Sequence, residues 1–343
     1  MPSFKLLTCL LLAMSVLGCA PLATAVSRSA AVAGDAVGAQ QSVVSAPNPA
    51  SVGVAGPSIQ QAADVPPGKI LFVRDGNLWL WQGGTNRQFS DGGTWFQPAY
   101  SPDGREIAYV YWTFNFSDLF VMAADGSAAR RLTQGQSRSL PDNSWAFRPA
   151  WSPDGAKLAF VSDANSGHPQ VWVMAKDGNN RRQLTSEATG IQWADSLSWD
   201  PNGSRLAVTA APDMREPSQI YLVDVARGTN EKLTKNLNGA LDPAWAPDGK
   251  TLAYIARPGT QTELWLRDVD GTKEARLDKL SYVRSPVWSP DGKQLAVLAV
   301  KDAAFEIWVV SVKVTDGGFE FGEPRQLTRD AAVDPMSGLT WAP

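Results

Sequence analysis

Asp195 and Asp242 are the carboxylates in this sequence with the best placement for chemistry. Each lies three or four residues before a tryptophan of a recurring segment, Trp199 or Trp245. Two carboxylates that the fold brings together can hold a divalent metal ion or act as general acid and general base. They therefore support one alternative function, a hydrolase or lyase whose reaction takes place where the recurring segments converge.

Other catalytic chemistry has few candidate residues. His168 is the single histidine of the sequence, so a Ser-His-Asp hydrolase would have to use it, and there is no Gly-x-Ser-x-Gly motif. There is also no His-Glu-x-x-His motif and no Cys/His cluster that would indicate zinc. The run from Asp268 to Gly271 has part of a calcium-loop pattern but lacks the closing glutamate, and is interpreted as a turn. We expect a non-catalytic protein without a metal or another cofactor.

A seven-residue phrase, repeated five times, defines the elements that must position any site. The third residue of the phrase is aromatic, and successive copies are 43 to 53 residues apart, counting a partial sixth copy at Leu339-Thr-Trp-Ala-Pro343. Such a period is typical of one repeated supersecondary unit. The copies are Pro98-Ala-Tyr-Ser-Pro-Asp-Gly104, Pro149-Ala-Trp-Ser-Pro-Asp-Gly155, Leu197-Ser-Trp-Asp-Pro-Asn-Gly203, Pro243-Ala-Trp-Ala-Pro-Asp-Gly249 and Pro286-Val-Trp-Ser-Pro-Asp-Gly292.

Each repeat contains four short apolar segments separated by turns. The segments are rich in Val, Ile, Leu and aromatic residues, which favours strands, and Pro-Asp-Gly favours a tight turn. Four antiparallel strands per repeat at this period indicate the blade of a β-propeller. We predict an all-β fold, a six-bladed β-propeller over residues 67–343, in which the C-terminal strand completes blade 1.

These repeats resemble the propeller repeats of TolB-like proteins, also called PD40 or WD40-like repeats. The resemblance covers roughly residues 69–343 and is specific in its repeat pattern. Members named TolB are soluble periplasmic proteins with an additional α/β domain before the propeller, and nothing in this sequence resembles that domain. The resemblance therefore implies the fold, whereas unrelated functions share this type of blade.

Aromatic residues that the blade repeat does not require are concentrated in predicted loops. In a propeller, the loops between second and third strands and those between blades lie on the same face. Exposed aromatic clusters mark binding surfaces, so we predict a recognition face here; the alternative is that the rings cover the top of the core. The candidates are Trp95, Phe96, Trp112, Phe114, Phe116, Trp145 and Trp193.

Three charged residues lie near the predicted mouth of the central channel. Arg148, Asp242 and Arg284 each precede a first strand by one or two residues. They could orient a polar ligand, or they could pair with each other or face water. We include them among the candidate partner-binding residues.

The N-terminus has the pattern of a bacterial lipoprotein signal peptide over residues 1–18. Lys5 precedes an apolar stretch that is too short for a membrane span, and this stretch ends in Leu17-Gly18-Cys19. The pattern predicts cleavage after Gly18 and lipid on Cys19; the alternative is an ordinary signal peptide with an incidental cysteine. Residues 19–66, rich in Ala, Ser and Pro, are predicted to form a flexible tether.

Composition excludes one class of partner. The 343 residues include 31 basic and 34 acidic residues, a net charge of -3, so no basic surface for nucleic acid is expected. We predict an exported monomer, lipid-anchored to a bacterial membrane, that binds an envelope protein or a cell-wall or surface polymer through its aromatic loops. The alternatives are a carbohydrate-binding propeller and the channel-centred hydrolase or lyase.

Overall fold

The computed structural model describes residues 66–271 and 273–343, and this part of the chain is all-β. Its strands form six separate antiparallel sheets. The described residues contain no α-helix; two short 3-10 turns, Leu140–Asp142 and Glu187–Thr189, lie between blades. The prediction of an all-β, six-bladed propeller is confirmed.

The first three blades follow one another along the chain. Blade 1 contains β1 (Lys69–Arg74), β2 (Asn77–Gln82) and β3 (Thr85–Gln88). Blade 2 contains β4 (Trp95–Tyr100), β5 (Glu106–Trp112), β6 (Ser117–Ala123) and β7 (Arg130–Arg131). Blade 3 contains β8 (Ala146–Trp151), β9 (Lys157–Ser162), β10 (Gln170–Ala175) and β11 (Arg182–Gln183).

The last three blades continue this order, and blade 6 carries an extra hairpin. Blade 4 contains β12 (Trp193–Trp199), β13 (Arg205–Ala211), β14 (Gln219–Asp224) and β15 (Asn230–Lys232). Blade 5 contains β16 (Ala240–Trp245), β17 (Thr251–Ala256), β18 (Glu263–Asp268) and β19 (Glu274–Leu277). Blade 6 contains β20 (Arg284–Trp288), β21 (Gln294–Lys301), β22 (Ala304–Thr315), β23 (Gly318–Phe321) and β24 (Arg325–Gln326). The long β22 pairs with both β23 and β24, so this blade has one strand more than predicted.

The final strand closes the ring. β25 (Thr340–Ala342) pairs antiparallel with β1, with Trp341 opposite Ile70. The Thr340 hydroxyl accepts a hydrogen bond from the backbone N–H of Tyr100 (3.0 Å), which ties the closing strand to blade 2. The predicted completion of blade 1 by the C-terminal strand is confirmed.

The repeated tryptophans explain how successive blades attach. Trp151 Nε1 donates to the carbonyl of Ala99 (3.1 Å), and Trp199 Nε1 donates to that of Ala150 (3.0 Å). Trp288 Nε1 donates in the same way to Ala244 (3.0 Å). Each of these indoles is largely buried, so one side chain supplies both apolar contact and an inter-blade hydrogen bond. The core therefore lies between neighbouring blades and depends on the first strand of each.

The Pro-Asp-Gly turns form with the local geometry that their sequence predicts. In the first copy, the Ser101 hydroxyl and the Arg105 N–H both donate to Asp103 Oδ1, at 2.6 and 3.1 Å. Gly104 follows at φ 67°, a left-handed conformation that glycine adopts without steric cost. The hydrogen bonds from Ser101 and Arg105 hold the pKa of Asp103 below its usual value.

The predicted signal peptide, Cys19 and almost all of the predicted tether fall on residues 1–65, outside the described residues. Among the residues that the structure describes, no helix is long and apolar enough to cross a membrane.

Candidate functional site

The two ends of the blades form two different surfaces. We call the surface with the connections between second and third strands and between blades the loop face. The opposite surface carries the connections from first to second and from third to fourth strands, and we call it the turn face. Every first strand begins at the loop face, where the six of them surround a central channel.

Exposed apolar side chains are concentrated on the loop face. Seven large hydrophobic side chains of the described residues are exposed, and only Val314, in the extra hairpin of blade 6, belongs to the turn face. Phe114 is 85% exposed, Leu140 71% and Leu237 87%. The loop-face members are Phe114, Leu140, Met214, Leu237, Tyr282 and Val300. So one-sided a distribution is typical of a surface that contacts another molecule.

Two of the predicted recognition aromatics are buried, which corrects their predicted exposure. Trp95 was expected in a loop, but it is the first residue of β4 and is 1% exposed. Its ring packs on Tyr109 with centroids 4.6 Å apart, and its Nε1 donates to the carbonyl of Asp91. Phe116 is 8% exposed. β4 and β5 pair as far as Trp95 and Tyr111, so Trp95 belongs to the strand and packs in the core.

Four further candidates are half-buried and lie at strand ends or beside them. Phe96, Trp112 and Trp145 form one aromatic cluster, with ring centroids 6.1 Å apart between Phe96 and Trp112 and 4.9 Å between Trp112 and Trp145. Phe96 and Trp112 also pack on the core between blades 2 and 3. Trp193, the first residue of β12, is half-buried too. The predicted loop positions of Phe96, Trp112 and Trp193 are wrong, because all three belong to strands. These rings both cover the core and contribute partly exposed area to the loop face.

The exposed residues Leu140, Met214 and Leu237 were not among the predicted site residues. Their signal in the sequence is a single apolar residue within a polar connection between strands. An isolated apolar residue of this kind is common on protein surfaces. Only the fold shows that these positions share one face with Phe114.

The channel mouth at the centre of the loop face has an irregular backbone that repeats from blade to blade. In blades 2 to 6, the first strand shifts register against the second strand near its beginning. Four non-glycine residues at these shifts have a positive φ: Gln97, Arg148, Asp242 and Ser285, at 48° to 56°. Such a conformation costs on the order of 1 kcal/mol or more per residue and is often found at functional sites. The shifts turn these side chains toward one cavity of about 130 Å³.

Asp242 and Arg284 form a buried ion pair at the channel mouth. Arg284 Nε donates to Asp242 Oδ2 (2.8 Å), and the Ser285 N–H donates to the same oxygen (3.1 Å). Burial alone would raise the pKa of Asp242, but the charges of Arg284 and Arg148 and these hydrogen bonds outweigh it and lower that pKa to about 2. Burial would lower the pKa of Arg284, whereas Asp242 raises it. Both groups are therefore charged at neutral pH.

Arg148 and Asp195 form a second, looser pair at the channel mouth. Arg148 Nε lies 3.6 Å from Asp195 Oδ1, and the Arg148 N–H donates to Gln97 Oε1 (2.8 Å). Asp195 therefore contacts Arg148, as Asp242 contacts Arg284, and the two carboxylates are not arranged as a pair. Among the described residues, no group of three or more His, Cys, Asp or Glu side chains has an arrangement that could hold a metal ion. The geometry suits recognition of a polar group.

A second cavity, of about 320 Å³, lies between blades 2 and 3. Trp172 and Phe160 form part of its wall, and their rings stack with centroids 6.5 Å apart. Thr133, Ser162 and Asn165 add polar groups to the lining. An aromatic wall with hydroxyl and amide groups is a surface on which a sugar ring can stack and form hydrogen bonds.

Comparison with known proteins identifies related chains. An uncharacterized peptidase, YuxL, of Bacillus subtilis is 28% identical over 199 residues, which cover 46% of this chain and 29% of that protein. A TolB homolog of Chlorobium luteolum is 28% identical over 173 residues, 50% of this chain and 36% of that protein. The chain thus spans about a third of these two curated relatives. The crystal structure of TolB from Acinetobacter baumannii superposes with a TM-score of 0.62 at 21% identity, covering 80% of this chain and 67% of that one.

The family assignment depends on the repeats themselves. The model of the family PD40, described as the TolB beta propeller domain, matches residues 84–197 and 180–321. These matches extend over more than half of the sequence and include the strands of blades 2 to 5. The chain therefore belongs to the TolB beta propeller family.

Proposed function

We propose that this chain is a non-catalytic, lipid-anchored envelope protein whose loop face binds another protein. The observation that carries the proposal is the one-sided exposure of large hydrophobic side chains: within residues 66–271 and 273–343, six lie on the loop face and Val314 alone on the turn face. They lie in connections of several blades and surround a charged channel mouth, an arrangement that fits an apolar interface with a polar, oriented centre.

The envelope location is supported by the signal-peptide pattern that runs from Lys5 to Cys19. Two or more acyl chains anchor a protein durably, at about 0.8 kcal/mol for each buried CH₂ group. Replacement of Cys19 by serine is expected to release the protein from the membrane fraction. Retention of the Cys19→Ser protein in washed membranes would contradict a lipid anchor.

The binding proposal is tested by cross-linked capture from native envelopes with two matched variants. The loop-face variant is Phe114→Ser/Leu140→Ser/Leu237→Ser, and the control is Val314→Ser on the turn face. We expect the parent and the control to capture the same envelope protein, identified by mass spectrometry, and the loop-face variant to lose it. Equal capture by all three proteins would contradict the use of this face.

A carbohydrate ligand is the second candidate function, and the cavity between blades 2 and 3 favours it. Trp172 is half-buried, and its Nε1 donates to the carbonyl of Ser162 (3.3 Å), which fixes the indole at the cavity wall. If a glycan binds there, Trp172→Ala should abolish its binding on a glycan array, while the loop-face variant should bind it normally. A parent protein that binds no glycan would remove this candidate.

The channel-centred hydrolase or lyase has less support. Asp195 and Asp242 each pair with an arginine, and among the described residues neither belongs to a group of three or more side chains that could hold a metal ion. The relative named a peptidase is matched over 29% of its length.

A further inference from the structure

Polar atoms without hydrogen-bond partners converge in the cavity at the channel mouth. Among the described residues, Arg148 Nε, Asp242 Oδ1 and Ser285 Oγ are buried and form no hydrogen bond. Asp242 and Ser285 are 5% and 8% exposed, and all three residues line the cavity. Buried polar atoms without partners are rare, because each has lost its contact with bulk water. Asp242 Oδ1 and Ser285 Oγ therefore offer an acceptor and a hydroxyl to a ligand, whereas Arg148 Nε already lies 3.6 Å from Asp195 Oδ1.

Charged groups of both signs surround this cavity. Arg148 lies beside Asp195, Arg284 lies beside Asp242, and Arg257 lies near Arg284. The Asp334 carboxylate accepts a hydrogen bond from Ser337, which lines the cavity. The Arg257 guanidinium forms neither an ion pair nor a hydrogen bond with the part of the chain that the structure describes. Burial, together with the nearby positive charge of Arg284, lowers the pKa of Arg257. Arg257 therefore leaves one positive charge near the channel mouth without a carboxylate in contact with it among the described residues.

The backbone leaves room for such a ligand at Gly338. A Cβ atom at Gly338 would lie 3.8 Å from Ser285 Oγ and 4.0 Å from Arg148 Nη1, in ordinary van der Waals contact with both. Gly338 therefore places no side chain of its own against Ser285 Oγ and Arg148 Nη1 at this point of the cavity wall. A carboxylate placed there could accept hydrogen bonds from both, and arginine is well suited to carboxylate recognition.

We propose that the channel mouth binds an acidic residue of a polypeptide, with its carboxylate between Arg148 and Ser285 and a backbone N–H donating to Asp242 Oδ1. This assignment uses the Asp242 and Ser285 oxygen atoms that form no hydrogen bond within the described residues, and it places the negative charge of the ligand beside Arg148. It rests on the proposed function in that the acidic residue belongs to the partner held by the loop face. A free carboxylate without an N–H group would satisfy only the arginine side of the site.

The test uses three small probes and the full mature chain. The probes are N-acetyl-aspartate methylamide, its neutral counterpart N-acetyl-asparagine methylamide, and acetate. Binding is followed through the NMR signals of the arginine Nε–H groups at constant ionic strength. We expect the aspartate probe to bind at least about tenfold more tightly than the other two, a difference of about 1.4 kcal/mol. Equal binding of the aspartate and asparagine probes, or no binding of either, would overturn the proposal; equal binding of acetate would indicate a free carboxylate as the ligand and overturn the polypeptide assignment.

Variants connect the signal to the site. Arg148→Gln is expected to weaken binding of the aspartate probe about tenfold, and Arg257→Gln by a smaller factor. Arg105→Gln makes the same charge change on the turn face, where the Arg105 side chain is 85% exposed, and should bind as the parent does. A folded Arg148→Gln protein with the parent's affinity would contradict the assignment. If Arg148→Gln does not fold, Arg257→Gln takes its place in the test. A folded Arg257→Gln protein with the parent's affinity for the aspartate probe would then contradict the assignment.

The two proposals can fail separately. The Phe114→Ser/Leu140→Ser/Leu237→Ser variant should lose the captured protein but retain the aspartate probe, because its substitutions lie outside the cavity. If no protein is captured, the probe still measures the carboxylate site directly. If a protein is captured equally by the parent and by Arg148→Gln, the carboxylate site is not part of that interface and this inference fails, while the loop-face proposal stands.

Discussion

The turn face and the loop face are built from the two ends of the same strands, yet they differ in what their residues do. On the turn face, Ser101, Ser152 and Ser289 each donate to the aspartate two residues later, and the glycine that follows has a φ of 67° to 70°. On the loop face, no such motif recurs in the connections, and exposed Phe114 and Leu237 lie in them. The repeated turns belong to the fold, whereas the opposite connections differ from blade to blade, as expected if they serve the proposed binding.

The channel mouth belongs to the loop face, yet its residues Asp242, Arg284 and Ser285 are as buried as residues of the core. The largest effect is therefore expected from Asp242→Ala. It leaves Arg284, which is 5% exposed, as a buried charge without its partner, and removal of one member of such a pair costs about 3 kcal/mol or more. The measurement is the free energy of unfolding in denaturant.

The control for this prediction is a second substitution that removes the other charge. Asp242→Leu/Arg284→Met should recover part of the lost stability, because it leaves no unpaired charge behind. If Asp242→Ala lowers the free energy of unfolding by less than about 1 kcal/mol, water and not Asp242 compensates the charge of Arg284.

The same aspartate should make this region sensitive to acid. The pKa of Asp242 is about 2 in the folded chain and about 3.9 in an unfolded one, so the unfolded state takes up its proton first as the pH falls. The stabilisation is complete above about pH 4 and is lost as the pH falls toward 2, a change of about 2 kcal/mol. The difference in unfolding free energy between the parent and Asp242→Asn should therefore shrink over this range. A difference that is constant from neutral pH to pH 2 would contradict the ion pair.

On the turn face, a smaller effect is expected from Gly155→Ala. Gly155 has a φ of 67°, and an added Cβ meets nothing closer than Pro102 at 3.9 Å, so the cost is that of the left-handed backbone, about 1 kcal/mol. Gly259→Ala is the matched control, because Gly259 lies on the loop face, has no positive φ and has no atom within 4 Å of its Cβ position. Equal unfolding free energies for the two variants would show that the turns do not depend on glycine.

The contrast between the faces also explains what the sequence could predict. The turns and the closing strand were predictable because a few adjacent residues determine them, as in Ser152-Pro-Asp-Gly155. Exposure on the loop face depends on strands that are distant in sequence. Trp95 is buried by its contact with Tyr109, whereas Phe114, two residues from Trp112, is 85% exposed. Nor could the sequence indicate that Arg257 adds its charge beside Arg284, because they belong to different blades.

The smallest effect on stability, and the sharpest test of the contrast, is expected from the loop-face variant Phe114→Ser/Leu140→Ser/Leu237→Ser. These side chains are 71% to 87% exposed, so they bury little area on folding, and each substitution should change the unfolding free energy by no more than about 0.5 kcal/mol. Val314→Ser on the turn face should change the unfolding free energy equally little, since Val314 is also largely exposed. If the loop-face variant is as stable as Val314→Ser but alone loses the captured protein, the exposed residues serve binding. A loss of several kcal/mol would instead show that these loops pack on each other, and their apolar residues would then belong to the structure of the face.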